Sequence, residues 1–321
     1  MNESRINVLR AFFEPLAEKA GLDAAAYAPA EQWETREAGR DHQVTVMRAK
    51  GAPDLIFKHI QKPYEPKKFA SRVAAQAAAA ETLGAGQNRA PAILAYDDIE
   101  QSVLMQRASG ETLQALCEVS NSPEVFLRTA GEWLAAYHRH SATPAPHFRP
   151  KFMLDHIANA ITAADEGKRT IPDLPAFRYY AARVRSLARL YDGAPTLSAC
   201  KHGDFGLRNI LIAPDQTNAI DFGVQGTAPV GFDVARLLLH YAETFGDPDD
   251  ISAGQSIPEP AIASFFSGYD LVGPDDPSVA FLTRMQLLSL WLRVPAGEEN
   301  RTLMQTLRLG RLRQIVSIAL D

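Results

Sequence analysis

The chain has 321 residues, a length that predicts about two domains or one bilobed unit. Hydrophobic residues make up 46% and charged residues 22%, which excludes a wholly disordered or collagen-like chain. The net charge of −5 gives no support to a nucleic acid as the main partner, because binding to phosphates needs a basic surface. Basic and acidic side chains balance within residues 1–110, so the whole acidic surplus lies in residues 111–321.

No targeting or membrane segment is recognisable in the sequence. Residues 1–5 contain an acid and are not followed by an apolar core, so we expect no signal peptide. No stretch of 18 apolar residues occurs, so we expect no membrane span. The two cysteines, Cys117 and Cys200, form no CxxC pattern and are typical of separate thiols in a reducing compartment. The sequence therefore predicts a cytoplasmic protein without a membrane partner.

The first third of the chain is predicted to be mostly antiparallel sheet. Apolar residues at helical spacing occur in 4–20 and predict a helix. Strand-like segments flank a turn at 50–54, and the Ala-rich segment 66–84 ends at a glycine that stops a helix. The predicted elements are helices at 4–20 and 66–84 and strands at 43–47, 55–60, 92–96 and 102–106. Residues 1–107 should thus form a sheet of about five strands with one inserted helix.

After Gly110 the pattern becomes helical. The predicted helices lie at 123–140, 152–167, 176–191, 232–245, 258–271, 277–293 and 300–319. Residues 209–212 and 219–223, on either side of a polar turn, are predicted to form two short strands within this helical part. We therefore place a domain boundary after residue 107 and assign 108–321 to a helical lobe.

The strongest motif has the form HGDxxxxN…DFG. Asp204 and Asn209 are five residues apart, and Asp221 follows Asn209 by twelve. Phosphoryl transfer needs a carboxylate to orient an acceptor hydroxyl, and Mg²⁺ prefers hard oxygen ligands shared with the nucleotide phosphates. A loop that carries Asp and Asn, with a second Asp across a hairpin, supplies these oxygens. The alternative is Asp and Asn in ordinary turns, where both are common.

At these residues the chain resembles the aminoglycoside phosphotransferase and choline kinase family, the protein-kinase-like small-molecule kinases. Their motif has Gly after the His, where protein kinases have Arg. The resemblance covers roughly residues 30–295 and implies an α+β, bilobed protein-kinase-like fold with an antiparallel-sheet N-lobe and a mainly helical C-lobe. It implies that Asp204 is the catalytic base, that His202 braces the loop, and that Asn209 and Asp221 hold Mg²⁺. Arg208 is either a contact to the γ-phosphate or a surface arginine.

Lys58 shares its strand face with Ile56 and Ile60, and an ammonium group on an apolar face needs a partner. The resemblance implies that Lys58 grips the α- and β-phosphates; the alternative is an edge-strand lysine that extends to water. The family pairs this lysine with a helix glutamate, but the corresponding position here holds Gln76. Either Gln76 bonds Lys58 as a neutral partner, which we favour, or Glu81 is the partner.

The nucleotide loop and the hinge have weak sequence signals. GxGxxG and P-loop motifs are absent, and the turn around Gly39 lies where the family's nucleotide loop sits. The resemblance implies a hinge at Gln106, Arg107 and Ala108, where adenine binds backbone groups; the alternative, an ordinary interdomain linker, is compatible with it.

Three further groups of polar residues are predicted to be structural. The family places an aspartate at Asp233 that supports the catalytic loop from below, and this position also suits a helix cap. His138 lies near a helix C-terminus, where a histidine is favourable to the helix dipole. Arg301, Arg308 and Arg311 recur at helical spacing, and we expect a solvated face or a contact with the acidic body.

The sequence thus predicts an ATP- and Mg²⁺-dependent transfer of the γ-phosphoryl group to a hydroxyl of a small molecule. The alternatives are a nucleotide-binding pseudokinase with a regulatory role and a protein kinase, which would be expected to carry HRD and an APE-type segment. Acidic residues cluster in the predicted C-lobe loops, at Asp247, Asp249, Asp250, Asp275, Asp276, Glu298 and Glu299. They favour a cationic or neutral acceptor, such as an aminoglycoside, amino alcohol or sugar, unless they merely solvate loops.

Overall fold

The computed structural model describes residues 3–37, 39–145 and 147–321, with the side chains of 3–8 outside the description. The chain divides into two compact units, Met1–Glu111 with Asn209–Gln225 and Thr112–Arg208 with Gly226–Asp321. Residues 209–225, which the sequence-based boundary assigns to the helical lobe, therefore group with the first unit.

The first unit combines two helices with short and long strands. Its elements are α1 (Glu3–Lys19), β1 (Ala28–Glu37), β2 (Arg40–Arg48), β3 (Leu55–Lys62), α2 (Pro66–Leu83), β4 (Asn88–Arg89), β5 (Ile93–Asp97) and β6 (Ser102–Gln106). The strands β1, β2, β3, β5 and β6 form a five-stranded antiparallel sheet, as predicted, and its order is β1-β2-β3-β6-β5. The strand β7 (Glu111–Thr112) follows at the division between the units.

The two faces of this sheet pack against different helices. Because side chains alternate along a strand, Phe57 joins the core formed with Phe13 and Leu16 of α1, while Ile60 joins the core of α2. Lys58 therefore lies on the α2 face of β3, between Ile56 and Ile60, as predicted. This alternation fixes where the lysine points without any contribution from the loop sequences.

Residues 209–225 form a hairpin, and β4 pairs with its second strand. The later strands and helices are α3 (Leu113–Glu118), α4 (Leu127–Arg139), β8 (Thr143–Ala145), α5 (Lys151–Asp165), α6 (Leu174–Tyr191), β9 (Thr196–Cys200), β10 (Ile210–Ile212), β11 (Thr217–Ala219), β12 (Thr227–Pro229), α7 (Gly231–Thr244), α8 (Glu259–Gly268), α9 (Pro277–Trp291) and α10 (Leu303–Leu320). β11 pairs antiparallel with β10 and parallel with β4.

The second unit is mainly helical, with a three-stranded sheet in the order β12-β9-β8 that the sequence did not predict. Helix α4 packs closely on α8 because Gly131 and Gly268 lack a Cβ atom, which at either position would overlap the backbone of the other helix. Helix α7 packs on α9, and Trp133 and Trp291 are fully buried. Within the described residues, no helix is long and apolar enough to cross a membrane.

Candidate active site

In the first unit, Lys58 forms an ion pair with Asp221. The Lys58 Nζ lies 2.6 Å from the Asp221 Oδ1 atom, and the lysine side chain is only 20% exposed. Lys58 sits in the middle of the sheet, because it pairs with Val44 of β2 and Val103 of β6. The structure thus brings together the ammonium predicted to grip phosphates and a carboxylate predicted to hold Mg²⁺.

Neither helix residue considered from the sequence is the partner of Lys58. The buried Gln76 amide donates to the Pro91 carbonyl at 3.0 Å and lies 3.4 Å from the Met105 sulfur. Glu81 is exposed on α2. The predicted Gln76–Lys58 bond is therefore wrong, because the amide already satisfies a buried backbone carbonyl that no other side chain reaches in the described hydrogen bonds.

A hairpin sets the spacing of Asn209 and Asp221. Ile210 of β10 pairs with Ala219 of β11, and the Ile220 N–H donates to the Asn209 carbonyl at 2.9 Å. Asn209 and Asp221 therefore flank the same end of the hairpin. Asp221 adopts a φ of 60°, a left-handed conformation that Asp tolerates better than most residues and that turns the chain directly after the strand.

This donor set fits a magnesium ion shared with phosphates. The Asp221 carboxylate and the Asn209 amide each offer a hard oxygen ligand. Mg²⁺ typically takes only one or two such ligands from a protein, because nucleotide phosphates and water supply the others. No group of three or more His, Cys, Asp or Glu that could hold a metal occurs among the described residues. Asn209 and Asp221 therefore fit a metal that is held jointly with a nucleotide, rather than one held by the protein alone.

The predicted hinge residues follow β6. The Gln106 N–H donates to the Ala92 carbonyl at 3.0 Å and the Arg107 N–H to the Asp54 carbonyl at 3.2 Å. The Arg107 guanidinium forms ion pairs with Asp54 and Glu31. In the described part of the chain, the Ala108 N–H has no hydrogen-bond partner.

Gly39 lies in the tight turn that joins β1 to β2. It has a φ of 86°, and a Cβ atom there would meet nothing within 4 Å. Glycine is therefore favoured by the backbone conformation rather than by crowding. Its predicted role as a nucleotide contact stays a prediction.

In the second unit, Asp233 holds the loop that carries Asp204. Its buried carboxylate accepts the N–H of His202 at 2.7 Å and the N–H of Gly203 at 2.9 Å. His138 Nε2 lies 3.3 Å from the same carboxylate. Burial by itself raises the pKa of Asp233, but the bonds and charges from His138, His202 and Gly203 outweigh it and hold the pKa below its usual value.

Asp204 is positioned by its neighbours in the loop and by a helix. Its N–H donates to His202 Nδ1 at 3.3 Å, and its carboxylate forms an ion pair with Arg236 of α7. His202 is fully buried against the rings of Trp133 and Phe205. These contacts support the predicted role of His202 as a brace of the loop.

Arg208 ends the loop on the surface of the second unit. Its Nε donates to the Gln114 amide oxygen at 2.7 Å, and the residue is exposed. Of the two interpretations of Arg208, these contacts favour a surface arginine that ties the loop to α3. A contact to the γ-phosphate stays a prediction.

Two residues of α7 that the sequence analysis did not single out also bear on the loop. His240 Nδ1 accepts the Leu207 N–H at 3.2 Å, and Arg236 pairs with Asp204. Burial and the nearby charges of Arg308, Arg208 and Arg236 lower the pKa of His240 to about 4. The sequence could have indicated Arg236 and His240, because positions 233, 236 and 240 recur at helical spacing and so lie on the same face of α7 as Asp233.

A cavity of about 610 Å³ lies in the second unit, and Arg236 lines it. The guanidinium groups of Arg169, Arg293 and Arg308 line it as well, together with the carboxylate of Glu243. We call it the arginine cavity, defined by these four arginines. Because Arg236 also binds Asp204, the cavity adjoins the predicted catalytic base.

Known proteins match the chain in family and in fold. A family model described as the phosphotransferase enzyme family matches residues 32–267. No curated protein matches the chain in sequence.

Three solved structures show the likeness in fold. A choline/ethanolamine kinase family protein from Mesorhizobium loti is 17% identical with a TM-score of 0.58, and the match covers 96% of this chain and 99% of that one. A macrolide 2′-phosphotransferase from Brachybacterium faecium is 15% identical with a TM-score of 0.54, covering 95% and 97%. A glucosamine kinase in complex with glucosamine, ADP and inorganic phosphate is 15% identical with a TM-score of 0.55, covering 95% and 82%. The predicted α+β kinase-like fold is confirmed.

Proposed function

Because the chain belongs to the phosphotransferase enzyme family, we propose that it transfers the γ-phosphoryl group of ATP to a hydroxyl of a small molecule. The match to this family confirms the resemblance noted in the sequence and the expected class of enzyme, a small-molecule kinase. The glucosamine kinase of similar fold binds ADP and inorganic phosphate, and this supports a nucleotide as the phosphoryl donor here. The relatives named above differ in their acceptors, so the acceptor has to come from this chain's own residues.

The observation that carries the proposal is the loop of residues 202–208, which Asp233 holds by two backbone N–H groups. Asp204, in this loop, is the residue to accept the proton of the acceptor hydroxyl. The hydroxyl oxygen forms a bond to the γ-phosphorus, the bond from that phosphorus to the β-phosphate oxygen breaks, and ADP leaves. Asp204 thus orients the acceptor, while the barrier falls mainly through positioning and charge stabilisation.

The nucleotide side of the reaction belongs to residues of the first unit. Asn209 and Asp221 would hold Mg²⁺, which when bound offsets the negative charge of the phosphates. Lys58 would contact the α- and β-phosphates and would exchange part of its bond with Asp221 for them. The N–H of Ala108 is the hinge donor that remains for adenine among the described groups.

The pseudokinase alternative has no observation in its favour. The sequence suggested it because Gln76 stands where a glutamate is expected, but Lys58 has Asp221 as its partner. We place the enzyme in the cytoplasm, where its free thiols, Cys117 and Cys200, would stay reduced. Its partners are then the nucleotide and the acceptor.

The test is an ADP-release screen with Mg-ATP over hydroxylated metabolites, using Asp204→Asn and Asp192→Asn. Asp192 is an exposed residue at the end of α6 and serves as the matched control. We expect Asp204→Asn to lower turnover at least about 100-fold with ATP affinity unchanged, because general base catalysis is lost and the nucleotide contacts are not. Asp192→Asn should behave as wild type.

Two outcomes would contradict the proposed function. One is that no acceptor raises ADP release above the Asp204→Asn background. The other is that Asp204→Asn and Asp192→Asn turn over equally well.

A further inference from the structure

The arginine cavity carries a charge opposite to that of the whole chain. Four guanidinium groups line it, and among the described residues that line it Glu243 is the one acid. The chain as a whole has a net charge of −5. Four like charges around one cavity repel each other and therefore need a counter-charge.

Glu243 supplies that counter-charge to one arginine. Its carboxylate oxygens accept two bonds from Arg308, at 2.7 and 2.8 Å, a bidentate pair. Burial raises the pKa of Glu243 against the opposing effect of Arg308 and the other arginines. Glu243 is thus committed to Arg308, and Asp204 pairs with Arg236, so among the described residues Arg169 and Arg293 are the cations of the cavity without a carboxylate partner.

The remaining arginines have donors to spare. Arg169 donates to the Leu292 carbonyl at 2.8 Å, which is a neutral partner. Within the described chain, Arg293 has no hydrogen bond or ion pair from its guanidinium, and the buried Nε of Arg236 has no hydrogen-bond partner. A buried N–H without an acceptor costs free energy, so the Arg236 Nε favours a ligand with acceptor oxygens, and the exposed guanidinium of Arg293 can donate to the same ligand.

The surroundings of Arg293 point to a negative ligand rather than a neutral one. Arg293 is exposed, yet burial of part of the side chain and the charges of Arg236 and Arg308 lower the pKa of its guanidinium and outweigh the opposing charges of Asp204 and Glu243. An anion placed between these groups would relieve that repulsion, and a planar carboxylate matches the donor geometry of a guanidinium.

We propose that the arginine cavity binds the anionic group of the acceptor, so that the acceptor is a hydroxylated organic acid. This inference rests on the proposed function, because it assigns the ligand of the cavity to the same reaction. Arg236 joins the cavity to Asp204, which would place the acid group and the reacting hydroxyl on one molecule. Phe232, Leu239 and Met285 form an apolar part of the wall for the carbon skeleton.

The acidic loop residues do not oppose this assignment. Asp276 accepts the N–H groups of Ser278 and Val279 and so caps α9, and Asp247 accepts the Asp249 N–H in a short turn. None of the acidic loop residues from which the sequence favoured a cationic or neutral acceptor lines the cavity. Their charge serves helix ends and loops, whereas the cavity beside Asp204 is basic.

The test measures equilibrium binding without ATP, by calorimetry on the full chain. Two sets of probes share a skeleton and differ in charge: D-glucuronate, D-glucose and D-glucosamine, and 4-(hydroxymethyl)benzoate, its amide and 4-(hydroxymethyl)benzylamine. We expect the anion of at least one set to bind at least about tenfold more tightly than its neutral and cationic counterparts, because a charge-assisted pair adds at least one factor of ten. Arg293→Gln should remove about tenfold of that preference, and Arg189→Gln, on the exposed side of α6, should leave it intact.

Each outcome is decisive. Arg293→Gln should melt at or above the wild-type temperature, since Arg293 makes no described bond and repels its neighbours, so a loss of binding cannot be a loss of folding. A lack of preference for the anion in both sets, including no detectable binding of any of the six probes, would overturn the inference. So would an equal loss of ATP affinity in Arg293→Gln, which would assign the cavity to the nucleotide phosphates. The proposed function is tested separately by ADP release from Asp204→Asn.

Discussion

A single buried carboxylate organises the loop that presents Asp204. Asp233 is 1% exposed and accepts the backbone N–H groups of two consecutive residues, His202 and Gly203. Gly203 has a φ of 83°, which a residue with a Cβ atom adopts at a cost of about 1–3 kcal/mol. The backbone conformation therefore explains why a glycine follows His202, since this conformation lets the N–H groups of His202 and Gly203 both point at the Asp233 carboxylate.

Replacing Asp233 with Asn should expose this dependence. An amide keeps one acceptor oxygen and turns an NH₂ group toward the other N–H, so we expect a loss of about 1–3 kcal/mol in unfolding free energy and a lower kcat. Asp270→Asn is the control, because Asp270 is exposed and its ion pair with Arg139 is worth no more than about 1 kcal/mol. Urea unfolding and ADP release measure both effects; equal stability of the two variants would contradict the prediction.

At this scale the sequence indicated candidate site residues but not their partners. The HGDxxxxN…DFG motif singled out Asp204, Asn209 and Asp221 because it is long and its spacing is restrictive. It could not predict that Lys58 pairs with Asp221, which is 163 positions away. Helical spacing relates residues of one helix, whereas this contact depends on how a hairpin packs in the first unit.

At the scale of elements, the opening helix supplies part of the core on one face of the first sheet. Leu9, Phe13 and Leu16 of α1 pack with Phe57 and Leu104 in one buried cluster. The family resemblance does not include this helix, and the family match begins only at residue 32. The helix nevertheless covers the face of β3 opposite to Lys58, and thus holds the strand that carries the lysine.

Truncation of Leu16 tests this contribution. Leu16→Ala removes a side chain that is 3% exposed, so we expect a loss of about 2–5 kcal/mol in unfolding free energy. Leu190→Ala makes the same change at a side chain that is 74% exposed and should cost less than about 1 kcal/mol. Urea unfolding of both variants is the measurement, and a similar loss in the two would show that α1 does not stabilise the sheet.

The long helices of the second unit were predictable, whereas one of its sheets, built from short strands, was not. Seven helices of the second unit occur within a few residues of their predicted places, because an apolar face repeats over several turns. The sheet of β8, β9 and β12 was missed, since its strands have three to five residues and two of them contain proline. Proline in a short run argues against a strand, and only pairing with β9 makes these segments strands.

At the scale of the whole molecule, charge is distributed unevenly. The net charge of −5 is a sum over the chain and does not report which charges share a cavity. Arg169 and Arg308 are far apart in sequence, yet both line the arginine cavity with Arg236 and Arg293. Burial, together with the charges of Arg308, Arg208 and Arg236, lowers the pKa of His240, so two arginines of the cavity also affect the pH dependence of folding.

His240 should make the protein lose stability as the pH falls. The pKa of His240 is about 4 in the folded chain, whereas its ordinary value, which applies to the unfolded chain, is 6.5. Between pH 4 and pH 6.5 the unfolded chain therefore binds a proton that the folded chain does not. Stability is therefore unaffected by His240 above pH 6.5 and decreases below it, by about 2 kcal/mol at pH 5. His240→Asn keeps an acceptor for the Leu207 N–H but cannot titrate, so it should lose about 2 kcal/mol less than wild type between pH 7.5 and pH 5.

The measurement is urea unfolding at these two pH values, with His140→Asn as the control. His140 is exposed at the end of α4, and its variant should follow the wild-type pH dependence. The six histidines other than His140 and His240 are present in all three proteins, so the difference between His240→Asn and wild type isolates one group. Parallel losses in these two proteins would mean that burial and the neighbouring arginines do not lower the pKa of His240.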